Sequence, residues 1–146
     1  MSFGYDEERA DRHRRDVVLV VGPPASGKTT YILKHKKLEE HMFLGSARHW
    51  QSIQQQRREL NEFMAWAQWG EGTLWIEADH TDLKPGGSFR GCKVRDVVRL
   101  IEPKAVCKQR IDDLEQADGQ KIDRAPWHAS WCREALNVWF KDEMER

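Results

Sequence analysis

The chain has 146 residues, and its 24 Lys and Arg balance 24 Asp and Glu to a formal net charge of zero. That balance excludes a protein that coats nucleic acid or an anionic membrane by bulk charge, so contact with either would need a local basic patch. The length suits one domain, and seven Trp with five Phe exclude wholesale disorder. Cys92, Cys107 and Cys132 are widely spaced and form no Cys-x-x-Cys pair, so they read as reduced thiols rather than a disulfide framework or zinc site. The opening "MSFGYDEERADRHRRD" lacks the apolar stretch of a signal peptide, and no run reaches the length of a membrane span. The expectation is a cytoplasmic protein with no membrane partner.

Residues 1–15 are polar and aperiodic and read as a flexible arm, with the folded domain over 16–146. Val17–Val21 is a short β-branched run of the kind buried on both faces of a parallel sheet. Glycine and proline follow, then the helical stretch "SGKTTYILKHKK". A second strand is expected over His41–Gly45. Ser46 then caps a long helix from Ala47 to about Trp69, whose Trp50, Ile53, Leu60, Phe63, Met64 and Ala67 recur at helical spacing until Gly70 and Gly72 stop it. Thr73–Ala78 reads as a third strand, residues 79–93 as a glycine-rich loop and Asp96–Ile101 as a fourth strand. A helix begins near Pro103, with Cys107, Ile111 and Leu114 on one face, and runs toward Gly119. The segment "PWHASWCREALNVWF" reads as a last amphipathic helix carrying Trp131, Ala135, Val138 and Trp139. Short strands alternating with helices predict an α/β fold, a parallel sheet of about four to five strands flanked by helices.

Residues 22–29, "GPPASGKT", match G-x-x-x-x-G-K-[ST] in full, directly after a buried strand and before a helix. In that context Gly22, Pro23, Pro24, Ala25, Ser26 and Gly27 form a loop whose backbone N–H groups converge on phosphate oxygens. The helix that follows, with Lys28, Thr29 and Thr30, adds its positive end. Lys28, expected to be exposed at the helix start, puts a point charge on the β- and γ-phosphates, and the Thr29 hydroxyl ligates Mg²⁺. The predicted architecture is therefore the three-layer P-loop NTPase fold.

Such an enzyme also needs a carboxylate at the end of a neighbouring strand. Asp79, where strand gives way to loop, is the preferred candidate, with Glu77 on the same side of the strand and Asp82 in the loop beyond. Phosphoryl transfer further needs cations on the migrating group, for which Arg110, Arg124 and Arg133 are candidates. Arg48, Arg57 and Arg58 on the long helix could line an acceptor site, although Arg57 and Arg58 read better as solvated. The six histidines show no metal-ligand spacing, and no G-x-S-x-G elbow is present. The tryptophans read mostly as core; Trp127, after Pro126 in an expected loop, could stack on a base.

The order of these features resembles the small P-loop kinases of the adenylate-kinase-like group, and most of all the polynucleotide-kinase and zeta-toxin-like branch with its short phage-type forms. "VVLVVGPPASGKTTYI", "GTLWIEAD" and "DVVRLIEPKAVCKQRI" carry the likeness and cover about a third of the chain. The resemblance implies a phosphotransferase that binds ATP with Mg²⁺ and moves the γ-phosphoryl to a nucleotide, a nucleic-acid end or a small-molecule hydroxyl. It implies that Lys28, Asp79 and Arg110 are catalytic, that Thr29 and Asp79 hold the metal, and that Arg124 or Arg133 is the partner of Arg110 at a small mobile lid between about Asp112 and Pro126. Those kinases usually carry an acidic residue after the second strand, where this chain reads "FLGSARHWQ", with Ser46, Arg48 and His49 and no carboxylate. Two other readings stay open: a regulatory or assembly module that hydrolyses nucleoside triphosphate slowly or not at all, and a nucleotide-dependent nucleic-acid-binding protein.

Overall fold

A computed structural model describes residues 14–45, 53–78, 89, 92–118 and 127–144. Its elements in chain order are β1 (Asp16–Val21), α1 (Lys28–His35), β2 (Met42–Phe43), α2 (Ile53–Ala67), β3 (Thr73–Ala78), β4 (Val94–Arg99), α3 (Lys104–Asp118) and α4 (Trp127–Met144). The strands form one four-stranded sheet in the order β2-β3-β1-β4. All three pairings are parallel. The protein is thus α/β, with a parallel sheet flanked by helices.

The β-branched run of β1 lies at the centre because both of its faces must be covered. Val17, Leu19 and Val21 pack with Leu74 and Ile76 of β3 against Leu60, Met64 and Ala67 of α2 and Trp139 of α4. Val18 and Val20 turn the other way and, with Trp75, meet Ile32 of α1. Burying each of these large aliphatic side chains contributes about 1.5–3 kcal/mol. A third apolar cluster, Cys107, Ile111, Cys132 and Leu136, joins α3 to α4.

Most expected elements occur, with informative shifts. β4 begins two residues before the expected Asp96, because Val94 pairs with Val17 and a register irregularity follows between Val17 and Val18. Its charged, largely exposed residues hide the strand pattern. α3 ends at Asp118, as expected of the helix toward Gly119, so the first part of the expected lid from Asp112 is helical and its remainder, 119–126, lies outside the described residues. Trp127, placed both in the last helix and in a loop by the sequence, is the first residue of α4. Of the four tryptophans whose burial is described, Trp75 and Trp139 are buried and Trp66 and Trp69 are exposed. On α4 the buried positions among the described side chains are Cys132, Leu136 and Trp139, Val138 faces outward, and the Trp131 side chain lies outside the described ones.

Arg14 and Arg15 fasten the entry to β1. The Arg15 guanidinium donates to the carbonyls of Ala67 (2.9 Å) and Glu71 (3.2 Å), satisfying acceptors at the carboxyl end of α2. The Arg14 guanidinium lies over the Trp69 ring, 5.1 Å from its centroid. Among the described residues no helix is long and apolar enough to cross a membrane.

Candidate functional site

The loop from Gly22 to Gly27 leaves the carboxyl end of β1, the strand from which the chain passes to one side of the sheet and later to the other. Open parallel sheets form their ligand crevices at such a position. Its backbone is bent sharply: Ser26 N–H donates to the Pro23 carbonyl at 3.2 Å. Ala25 and Gly27 both take positive φ, 64° and 94°. Gly27 adopts the left-handed conformation freely, whereas Ala25 is held there against its preference. At Gly22 a Cβ would come within 2.5 Å of Ser26 Oγ and 3.3 Å of Leu100, so a side chain there would displace the Ser26 hydroxyl from the loop.

α1 begins at Lys28 with Gly27 as its cap, no side chain capping it and no acidic residue in its first turn. No carboxylate of its own therefore neutralises the positive end of the helix dipole. Ser26 Oγ is buried and has no hydrogen-bond partner in the structure. A buried polar atom without a partner costs about 1–3 kcal/mol, and an anion in the loop would relieve it.

Lys28 is buried, not exposed as its place at a helix start suggested. Its ammonium folds back onto the Gly22 carbonyl at 2.8 Å. A buried ammonium needs such a partner, and the loop provides one from its own backbone.

Beneath the helix start, the Thr29 hydroxyl donates to Glu77 Oε1. Glu77 lies on β3 opposite Val20 of β1 and is 2% exposed. That register brings its carboxylate under the loop. Glu77, the second choice from sequence, is therefore the carboxylate the structure sets against Thr29; Asp79, the first choice, lies outside the described residues, as do Asp82, Arg48 and Arg124.

The cations separate. Arg110 on α3 reaches the loop, donating from Nη1 to the Ala25 carbonyl at 3.0 Å, and pairs loosely with Glu102 at 3.4 Å. Arg133 on α4 is instead engaged by Asp112 and Glu115 of α3 at 2.7 and 2.9 Å, and no bond from it to the loop is seen. Arg57 and Arg58 are exposed, as expected of solvated positions. Cys107, also on α3, is fully buried near Lys28, Arg110 and Glu102. Burial pushes its thiol pKa up, which the nearby cations oppose without reversing, so it is a packing residue rather than a nucleophile.

Sequence reasoning passed over Glu40. Its carboxylate accepts from the backbone N–H of Lys37 (2.7 Å) and of Thr73 (3.1 Å), and from the Trp75 indole at 3.2 Å. It ties the turn after α1 to the first residues of β3, and no spacing rule in the sequence joins those segments.

No protein-family model matches the chain, and no curated protein is found similar to it.

Proposed function

We propose that the 22–29 loop is a phosphate-binding loop and that the protein is an ATP-dependent phosphotransferase. The observation that carries the reading is the Thr29–Glu77 contact under a loop of G-x-x-x-x-G-K-T sequence. A hydroxyl and a buried carboxylate are hard oxygen donors, which suit magnesium brought in with a nucleotide. The partnerless Ser26 hydroxyl and the uncapped start of α1 support an anion in the loop.

In this reading the backbone N–H groups of residues 25–28 and the Ser26 hydroxyl bind phosphate oxygens, since Pro23 and Pro24 have no N–H to donate. Lys28 exchanges its Gly22 carbonyl for the β- and γ-phosphates. Thr29 and Glu77 hold Mg²⁺, with Glu77 acting directly or through water. When bound, the metal supplies charge that offsets what develops on the phosphate oxygens. Arg110, already against Ala25, is the cation nearest the transferring group. The acceptor is a nucleotide, a nucleic-acid end or a small-molecule hydroxyl.

One observation favours a second reading. The stretch 43–51, "FLGSARHWQ", offers no carboxylate to take the proton of an acceptor hydroxyl. A nucleotide-binding module that hydrolyses slowly or not at all needs no such group. Incubating the protein with γ-labelled ATP, magnesium and a panel of nucleosides, nucleotides and 5′-hydroxyl oligonucleotides separates the two. Label on an acceptor supports the phosphotransferase; label released only as phosphate, or retained in ATP that binds, supports the module.

A further inference from the structure

The apolar cluster between α3 and α4 reaches the loop. Ala25 packs against this cluster of Cys107, Ile111, Cys132 and Leu136, while its carbonyl accepts Arg110. A non-glycine residue at φ 64° persists only where its surroundings hold it, and here the α3–α4 pair supplies those surroundings.

Arg133 binds that pair together. Its Nε and Nη2 donate to Asp112 Oδ1 at 3.3 and 2.7 Å, and Nη1 and Nη2 reach the two Glu115 oxygens at 2.9 Å each. Forked, charge-assisted bonds of this kind are strong and directional. The Arg133 bonds hold the Glu115 carboxyl below its ordinary range, and the same contacts raise the Arg133 pKa. Asp112 stands two residues from Arg110 on α3, so the fork fixes the helix that presents Arg110.

Resting on the phosphate-loop reading, we infer that Arg133 is a positioning residue: its fork to Asp112 and Glu115 seats α3 on α4 and, through Ala25 and Arg110, keeps the loop in its anion-binding shape. The competing role for Arg133 is a phosphate ligand masked by the two carboxylates until nucleotide arrives. The two roles predict opposite signs when the carboxylates are neutralised.

The experiment compares wild type, Arg133→Met, Arg133→Lys and the Asp112→Asn/Glu115→Gln double variant. Affinity for magnesium with a non-hydrolysable ATP analogue is measured by calorimetry in about 0.3 M salt, to screen the change in net charge. Amide exchange across residues 22–29 reads the loop with no nucleotide present, and exchange in β1 and β3 reports the fold. The inference predicts about fivefold weaker binding in both Arg133→Met and the double variant, with faster exchange in the loop alone. Arg133→Lys, which keeps the charge and loses the fork, lies between. Tighter binding by the double variant than by wild type would make Arg133 a masked ligand and overturn the inference. Unchanged affinity and loop exchange in folded variants would overturn it too. A wild-type protein that binds no nucleotide refutes the phosphate-loop reading instead, and the exchange result then shows separately whether Arg133 positions the loop.

Discussion

The Thr29 hydroxyl and the Glu77 carboxylate meet across 48 residues of sequence, one at the start of α1 and the other on β3. Glu77→Gln keeps the volume of this buried side chain and an acceptor for Thr29, and removes only the charge. The expected outcome is intact folding with about tenfold more magnesium needed for half-maximal nucleotide-dependent activity. Asp79→Asn serves as the comparison and should shift the titration less. A larger shift from Asp79 would transfer the metal role to that residue.

The choice between these two carboxylates shows where the sequence runs out. In the strand pattern both alternate to the same side, and the turn position favours Asp79; the β1–β3 register, with Val20 opposite Glu77, brings Glu77 to Thr29, while Asp79 lies outside the described residues. Register is a tertiary quantity. The loop motif and the buried runs of β1 and β3 were legible because their chemistry is local: glycine conformation, β-branching and helix onset. β4 was blurred because its exposed residues lack the pattern of burial. The helix through Cys107, Ile111 and Leu114 was legible as far as Gly119; its anchor Arg133 was not, because it lies 21 and 18 residues away from its partners. Lys28 was expected in water because a lysine at a helix start reads as solvated; the loop's own carbonyl made burial tolerable.

Glu40 predicts a local pH dependence. Partial burial works to raise its pKa, but hydrogen bonds from Lys37, Trp75 and Thr73 together outweigh that and hold the carboxyl below the ordinary range. A carboxyl lowered on folding contributes stability that is fully present above its unfolded pKa, about 4.3, and is lost as pH falls through the folded value below it. The Trp75 indole N–H resonance should therefore titrate with an acid midpoint below that of an unstructured glutamate. Glu40→Gln should abolish this titration and cost about 1 kcal/mol at neutral pH in urea unfolding. A Trp75 signal that ignores pH down to acid unfolding would contradict the assignment.

Gly70 follows α2 with φ 124°, and a Cβ there would come within 2.8 Å of Arg15 Nη2. Gly70→Ala imposes backbone strain and also pushes Arg15 from the carbonyls it satisfies. Denaturant unfolding should show a loss of about 1–3 kcal/mol. In an Arg15→Met background the cost should shrink toward the backbone part alone. An equal cost in both backgrounds would mean that the guanidinium simply moves aside.

The central claim is that the 22–29 loop binds the phosphates of a nucleotide through Lys28. Calorimetric titration of the folded protein with ATP, in the presence and absence of magnesium, tests it most directly. Lys28→Met is the matched control, since it retains a packed stem in place of the buried lysine. The account predicts saturable one-to-one binding that magnesium strengthens, weakened at least about tenfold in Lys28→Met because a charge-assisted contact to phosphate is lost. No binding of ATP or GTP by the folded wild-type protein, or equal affinity in Lys28→Met, would contradict it.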